Sequence, residues 1–385
     1  MNRQKLSSLK LLLVVQATHS FRGGVISPIL ALFIRRQGYS VTQIGLIGTA
    51  WILGYLIFEP IAGAVADRLN KKHMIIFAII TSSVIYLSYT LASNIWHFYL
   101  LAFTRSSVIS AYTISNKAMI AELLPSSGRG QTYGRYSSVV SMGGILGPIL
   151  GGYLTNVFSY EIPFYIYAGV GIISLIAVLY MKVDGEQPED SSTTNPIKIR
   201  DLMTKIFLGI LIIRMLFIFN FIFRQDTLPI FLNESTNFNV SETEIGIYMG
   251  VVRFSTALSQ LFLGTLTDRI GSKKMIISSL VLIGVTNITM LYITGTFPLY
   301  SLGLIQGISI AAANLSMMIY LISTMPKGRT GMVMGIYSEF ENIGGLFSSP
   351  LIGMIYDNVG PSASVLFVTS IIISNSVLSV FLLRS

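Results

Sequence analysis

Twelve apolar runs, each long enough for a helix to cross the roughly 30 Å hydrocarbon core of a bilayer, recur along this chain and constrain its fold more than any other feature. They fall at residues 11–34, 42–66, 73–93, 96–121, 132–155, 162–181, 206–231, 243–267, 274–294, 298–322, 331–355 and 362–383. Charged residues make up 11% of the 385 and apolar ones 52%, whereas soluble domains carry roughly 25% charged residues. So little charge cannot cover a water-facing surface. The predicted fold is an all-α membrane protein of twelve transmembrane helices.

An even number of spans puts both termini on one side, and the basic residues predict which side that is. With the N-terminus cytoplasmic, the cytoplasmic segments together with the span ends beside them hold 18 Lys and Arg, the outer loops hold only Arg35 and Arg36, and six lie deeper within spans. The expected location is the cell membrane, multi-pass, with both termini cytoplasmic and lipid around the helices. This bias also accounts for the net charge of +9; the cations form no single basic patch, which argues against a nucleic-acid partner. The first apolar run follows a basic N-terminus but exceeds the roughly 7–15 residues of a signal-peptide core, so it reads as a retained helix.

The longest polar stretch covers residues 182–205. Its segment from Gly185 to Pro196 is rich in Ser, Thr, Pro and acidic residues, a linker composition. It divides the chain into an N-terminal six-helix bundle, 1–181, and a C-terminal one, 206–385. The halves repeat: a shift of 201 positions carries Thr42, Ile44 and Gly45 onto Thr243, Ile245 and Gly246, and Gly63, Asp67, Arg68 and Lys72 onto Gly264, Asp268, Arg269 and Lys273. Pro125 falls on Pro326, and Gly143-Gly144 on Gly344-Gly345. Parallel repeats of this kind suit a transporter that rocks one half against the other around a midplane site.

The segments Gly63 to Lys72 and Gly264 to Lys274 resemble the cytoplasmic-loop motif of the major facilitator superfamily, with Asn70 where Gly is usual in the first copy. The resemblance extends over essentially the whole chain. It implies two pseudo-symmetric six-helix bundles and a transporter, here expected to act as a monomer. In the motif, Asp67 and Asp268 sit at helix ends, where each can engage the positive N-terminus of a facing helix while Arg68 and Arg269 bind acidic or carbonyl partners. Such contacts would latch the inner gate; the same cations also serve orientation alone. Glu122, followed by Arg129, matches the family's connection between the fourth and fifth spans and joins the same candidate gating network.

The fifth span carries Gly134, Gly143, Gly147, Pro148, Gly151 and Gly152. This spacing resembles the antiporter motif of the twelve-helix drug:proton exporters in that superfamily. Glycines 143, 147 and 151 recur every four residues and make a smooth stripe that lets another helix approach closely, while Pro148 removes a backbone bond and can bend the span.

Ionisable residues inside spans are expensive unless paired or facing water, so each is a functional candidate. The acids are Glu59, Asp226, Glu339 and Glu341; the bases are Arg22, Arg105, Lys117, Arg214, Arg224 and Arg253, with His19 titratable near neutrality. Arg105 falls where the family often places an arginine associated with proton coupling, although the Gln-Gly that usually follows is replaced by Val108-Ile109. An arginine holds a carboxylate ionised rather than releasing a proton, so the proton carrier is sought among Glu339 and Asp226, then Glu59 and Glu341. His19 and Arg22 share a face of the first span, with Arg224 near the equivalent level of the seventh. Together with Tyr112, Phe221 and Tyr320 they are candidate cavity residues, and the paired arginines resemble the anion sites of organic-phosphate exchangers.

No ATP-binding loop, metal-ligand cluster or nucleophile elbow occurs in the sequence, so no enzyme, cofactor or metal is expected. The expectation is a secondary active transporter moving a small organic solute by alternating access, with proton-coupled efflux as the first reading. An organic-anion or organic-phosphate exchanger or importer is the second. A receptor or scaffold that retained the fold without transport is the third.

Overall fold

Proline positions explain most of how the chain departs from twelve unbroken rods. The computed structural model describes residues 3–66, 69–123, 129–181, 204–235, 240–324 and 330–383, and these form twelve helical spans. The first runs Arg3–Ile26, breaks at Ser27 and Pro28, and resumes as Ile29–Arg36; the second to sixth are Val41–Ala66, Lys71–Tyr89, Ile95–Leu123, Arg129–Val157 and Ile162–Tyr180. The seventh comprises Lys205–Ile222, a π-turn at Phe223–Thr227 and Leu228–Glu234. The eighth to twelfth are Glu242–Ile270, Ser272–Thr289, Thr296–Thr324, Thr330–Asn358 and Pro361–Leu382. Most of the proposed linker, residues 182–203, lies outside the described residues.

Among the described residues, eight of the twelve are long and apolar enough to cross a membrane on length and composition alone. The fourth, ninth and eleventh carry polar side chains among their apolar ones, and some of those are paired inside the protein. In the ninth, for example, Asn287 donates to Asn220 of the seventh at 3.0 Å.

Both broken spans break beside a proline. Pro28 has no N–H to offer Gly24, and Pro229 has none for Gln225, so the ladder must widen or gap there. Around Pro229 the solution is the π-turn, in which the Leu228 N–H reaches back to the Phe223 carbonyl. The 201-residue shift that relates the halves also carries Pro28 onto Pro229. The repeat therefore includes the discontinuity. It includes a cap as well: Ser40 and Gln43 bond reciprocally at the start of the second span (2.9 and 3.2 Å), and Ser241 and Glu244 do so at the start of the eighth (2.7 and 3.4 Å), each a capping box.

Across the halves, the second span packs on the eleventh and the fifth on the eighth. These contacts are backbone against backbone. A Cβ on Gly45 would lie 2.7 Å from the Ser349 carbonyl carbon, one on Gly353 2.7 Å from Thr42 Cα, and one on Gly152 3.1 Å from Gly246 Cα. Within the first half, the stripe of the fifth span faces the first: a Cβ on Gly143 would meet the Ala17 carbonyl oxygen at 2.6 Å and one on Gly147 would meet Gly24 Cα at 2.8 Å. Only glycine fits such distances.

The face opposite the termini is closed. Arg35 donates to Glu234 at 2.5 and 3.3 Å, and Tyr356 donates to the same carboxylate at 2.9 Å. Asp357 of the eleventh span accepts from the backbone N–H groups of Val41 (3.1 Å) and Thr42 (2.7 Å) and from the Thr42 hydroxyl (2.6 Å), placing an anion on the positive N-terminus of the second span. Tyr160 donates to Glu242 while Arg36 lies over its ring at 4.6 Å; burial first, then the Glu242 carboxylate, holds this phenol above its ordinary pKa. On the terminal face, no described atom lies within 4 Å of a Cβ placed on Gly63 or Gly264 of the two loop motifs.

Adding a methyl at Gly147 is expected to destabilise the protein by about 1–3 kcal/mol through overpacking, read as a lower unfolding temperature for Gly147→Ala. Gly169→Ala, whose Cβ meets nothing within 4 Å, is the matched control and should unfold at the original temperature.

Candidate functional site

The two broken spans bring polar groups to the middle of the bundle. A cavity of about 400 Å³ opens there, bordered by Phe217, Phe221, Arg224, Met249, Arg253 and Asn314 among others, within the roughly 300–1,000 Å³ usual for small-molecule sites. A second, of about 250 Å³, is bordered by Gly48, Trp51, Tyr86, Arg105 and Asp226. Ser27, Gln225 and Arg253 border both. The π-turn carries three successive side chains that divide between the cavities: Arg224 borders the larger, Asp226 the smaller and Gln225 the two together.

Arg105 is buried between aromatic rings. Its Nη1 donates to the Tyr86 hydroxyl at 2.8 Å, and its guanidinium lies 5.5 Å from the ring centres of both Trp51 and Tyr86. Asp226 lies within electrostatic reach of it and accepts from the Ser349 hydroxyl of the eleventh span at 2.9 Å. The smaller cavity thus joins a cation of the fourth span, an acid of the seventh and the contact between the second and eleventh.

The other candidate acids are placed differently. Glu341 accepts from Arg214 through Nε (3.0 Å) and Nη2 (2.8 Å), and Arg214 also donates to Asn314 at 2.6 Å. Glu339 bonds to Asn342 and lies within electrostatic reach of Glu59; neither of these two acids borders either cavity.

Among the candidate cavity residues, Phe221 and Arg224 border the larger one. Arg22 instead points into the first half, over the Tyr167 ring at 4.5 Å and towards Ser82 (3.4 Å), Ser83 (3.5 Å) and His19 Nδ1 (3.4 Å). His19 stacks on Tyr112 with ring centres 4.0 Å apart, and Tyr112 donates to Gln16 at 2.8 Å. Tyr320 is buried, and none of these four residues borders the two cavities. Of the loop motifs, Asp268 and Arg269 are exposed on the terminal face; Asp67 and Arg68 lie outside the described residues, as do the side chains of Glu122 and Arg129 and the packing around Gly134.

A scan for charge alone passes over the amides. Gln306 accepts from both Arg224 and Tyr248 and donates to Asn287 at 3.3 Å, and Asn287 donates on to Asn220. This chain ties the seventh, eighth, ninth and tenth spans together. The available signal was polar amides inside apolar runs, where an unsatisfied group is costly and a partner is required.

A duplicated twelve-span bundle with cavities deep between its spans and one face sealed is the architecture of a membrane transporter. The Major Facilitator Superfamily profile matches residues 12–233 and 215–385, and the chain belongs to that family. Multidrug resistance protein MdtG of Escherichia coli is 26% identical over 373 residues, 92% of this chain and 89% of that one. Quinolone resistance protein NorA of Staphylococcus aureus is 30% identical over 189 residues, 48% of this chain and 46% of NorA, so the match spans about half of NorA's length. Among solved structures, the nucleoside transporter NupG superimposes with a TM-score of 0.85 at 15% identity, covering 98% of this chain and 100% of that one. A bacterial homolog of the human lysosomal transporter Spinster, inward-facing and unoccupied, gives 0.71 at 16% identity, covering 99% and 96%. The chain is a multi-pass membrane protein of that transporter family.

Removing one partner of the Arg214–Glu341 pair leaves the other charge enclosed. Glu341→Ala is expected to cost about 2 kcal/mol of stability, whereas adding Arg214→Ala to it should recover part of that loss in a double-mutant cycle of thermal unfolding.

Proposed function

We propose that this transporter exports a small organic solute in exchange for inward-moving protons, by alternating access between its two halves. The observation that carries the reading is the shared cavity of Arg105 and Asp226, set beside the larger cavity and walled from it by Gln225 and Arg253. A carboxylate that accepts from Ser349 links its own charge to the second and eleventh spans, whose contact closes the face opposite the termini. Ionised, Asp226 is stabilised by Arg105 and holds Ser349; protonated, it loses most of its attraction to both. The closed face is then free to part.

With the termini cytoplasmic, the conformation described here faces inward, and the larger cavity is the place for a solute. The names of MdtG and NorA as resistance proteins agree with export, and the glycine stripe of the fifth span supports the same reading. The opposite-face bonds of Arg35, Glu234 and Asp357 serve as the outer gate, and the duplicated loop motif as the inner one.

Asp226→Asn in proteoliposomes is expected to abolish solute accumulation driven by a proton gradient while leaving solute exchange without a gradient at half its original rate or better. Arg105→Ala should lower gradient-driven accumulation at least tenfold, and Glu339→Gln should keep most of it. Full gradient-driven accumulation by both Asp226→Asn and Arg105→Ala would overturn the assignment.

A further inference from the structure

The larger cavity carries two cations and no acid. Arg224 reaches it from the π-turn of the seventh span and Arg253 from the eighth, and the two guanidiniums lie within electrostatic reach of each other. Elsewhere Arg35 is answered by Glu234 and Arg214 by Glu341; among the described residues Arg224 and Arg253 have no ion-pair partner, and no Asp or Glu borders their cavity. Asp226, only two positions after Arg224, turns into the other cavity.

Their hydrogen bonds go to neutral acceptors. Arg224 donates to Gln306, and Arg253 donates to the Gly144 carbonyl at 3.1 Å and the Ser27 hydroxyl at 3.0 Å. Those bonds orient the guanidiniums without neutralising them, and each arginine has five N–H donors to distribute. Two uncompensated like charges beside one low-dielectric space repel far more than in water, and an anion entering that space relieves the repulsion. Along the same two spans the lining is apolar, from Phe217 and Phe221 of the seventh and Met249 of the eighth.

We infer that the larger cavity takes a solute with an anionic head of the carboxylate class, held by Arg224 and Arg253, and a flat apolar body laid against Phe217, Phe221 and Met249. This rests on the transporter reading above and specifies its solute. Arg22, buried in the first half, takes no part in the site.

The test compares three probes that share one ring system and differ in head charge: 2-naphthoate, 2-naphthamide and 2-naphthylmethylammonium. Binding to the full chain in neutral detergent is measured by calorimetry with no gradient present. Naphthoate is expected to bind at least tenfold tighter than naphthamide, with the cation weakest. Arg253→Gln and Arg224→Gln should each weaken naphthoate at least fivefold while keeping naphthamide within twofold, and Arg253→Lys should retain most naphthoate affinity. Absent naphthoate binding, a preference for the cation, or naphthoate affinity untouched by either Gln variant would overturn the inference. Since no gradient is involved, a failure of proton-driven flux leaves this result standing, and a cation preference here leaves proton coupling standing.

Discussion

Everything in this architecture depends on backbone meeting backbone at the two seams between the halves. Where Gly45 and Gly353 let the second and eleventh spans touch, and Gly152 and Gly246 let the fifth and eighth do so, backbone meets backbone, and side chains that cross the boundary, such as Ile52 onto Gly345 and Ile149 onto Gly250, lie against glycines. Interlocked side chains would make separation a repacking problem, costly in a close-packed interior. Smooth seams separate and re-form with little rearrangement, as rocking about a central site requires. What holds the closed face is instead a small set of directional bonds, those of Glu234 and Asp357, which can be made and broken as units.

The second governing feature is the pair of helix discontinuities at Pro28 and Pro229. Broken helices in a membrane are tolerated where the freed backbone lines a cavity or is buried in protein, and both lie beside the cavities here. The π-turn before Pro229 carries both Arg224 and Asp226, which border different cavities although they are two residues apart. Gln225, Ser27 and Arg253 form the partition. The proposed solute and proton sites are therefore neighbours with a common wall, an arrangement that lets occupancy of one alter the field in the other without shared contacts.

Much of the fold was legible in the sequence because the bilayer demands long apolar helices and the duplication writes each boundary twice. Spans two to six and eight to twelve lie within a few residues of the predicted ranges, and the repeat of Gly45 and Gly246 marks both seams. The breaks were less legible: hydropathy passes smoothly through Pro28 and Pro229, and their alignment under the 201-residue shift is the signal that gives them away. At the site, ionisable residues inside spans pointed to Arg105, Asp226 and Arg224. Sequence order does not reveal which way a helix face turns: Arg22 borders neither cavity, whereas Arg253 borders both. The amide chain through Gln306 escaped a search based on charge.

The central claim is that the halves rock, one face opening as the other closes. The chain has no cysteine, so pairs of spin labels can be introduced cleanly, one pair at positions 70 and 270 on the terminal face and one at 37 and 359 on the opposite face. Pulsed electron resonance distances in liposomes, measured across pH and with added solute, test it most directly. The account expects the two distances to change in opposite senses, the 70–270 pair shortening as the 37–359 pair lengthens; two distances that stay fixed, or that rise and fall together, would contradict it.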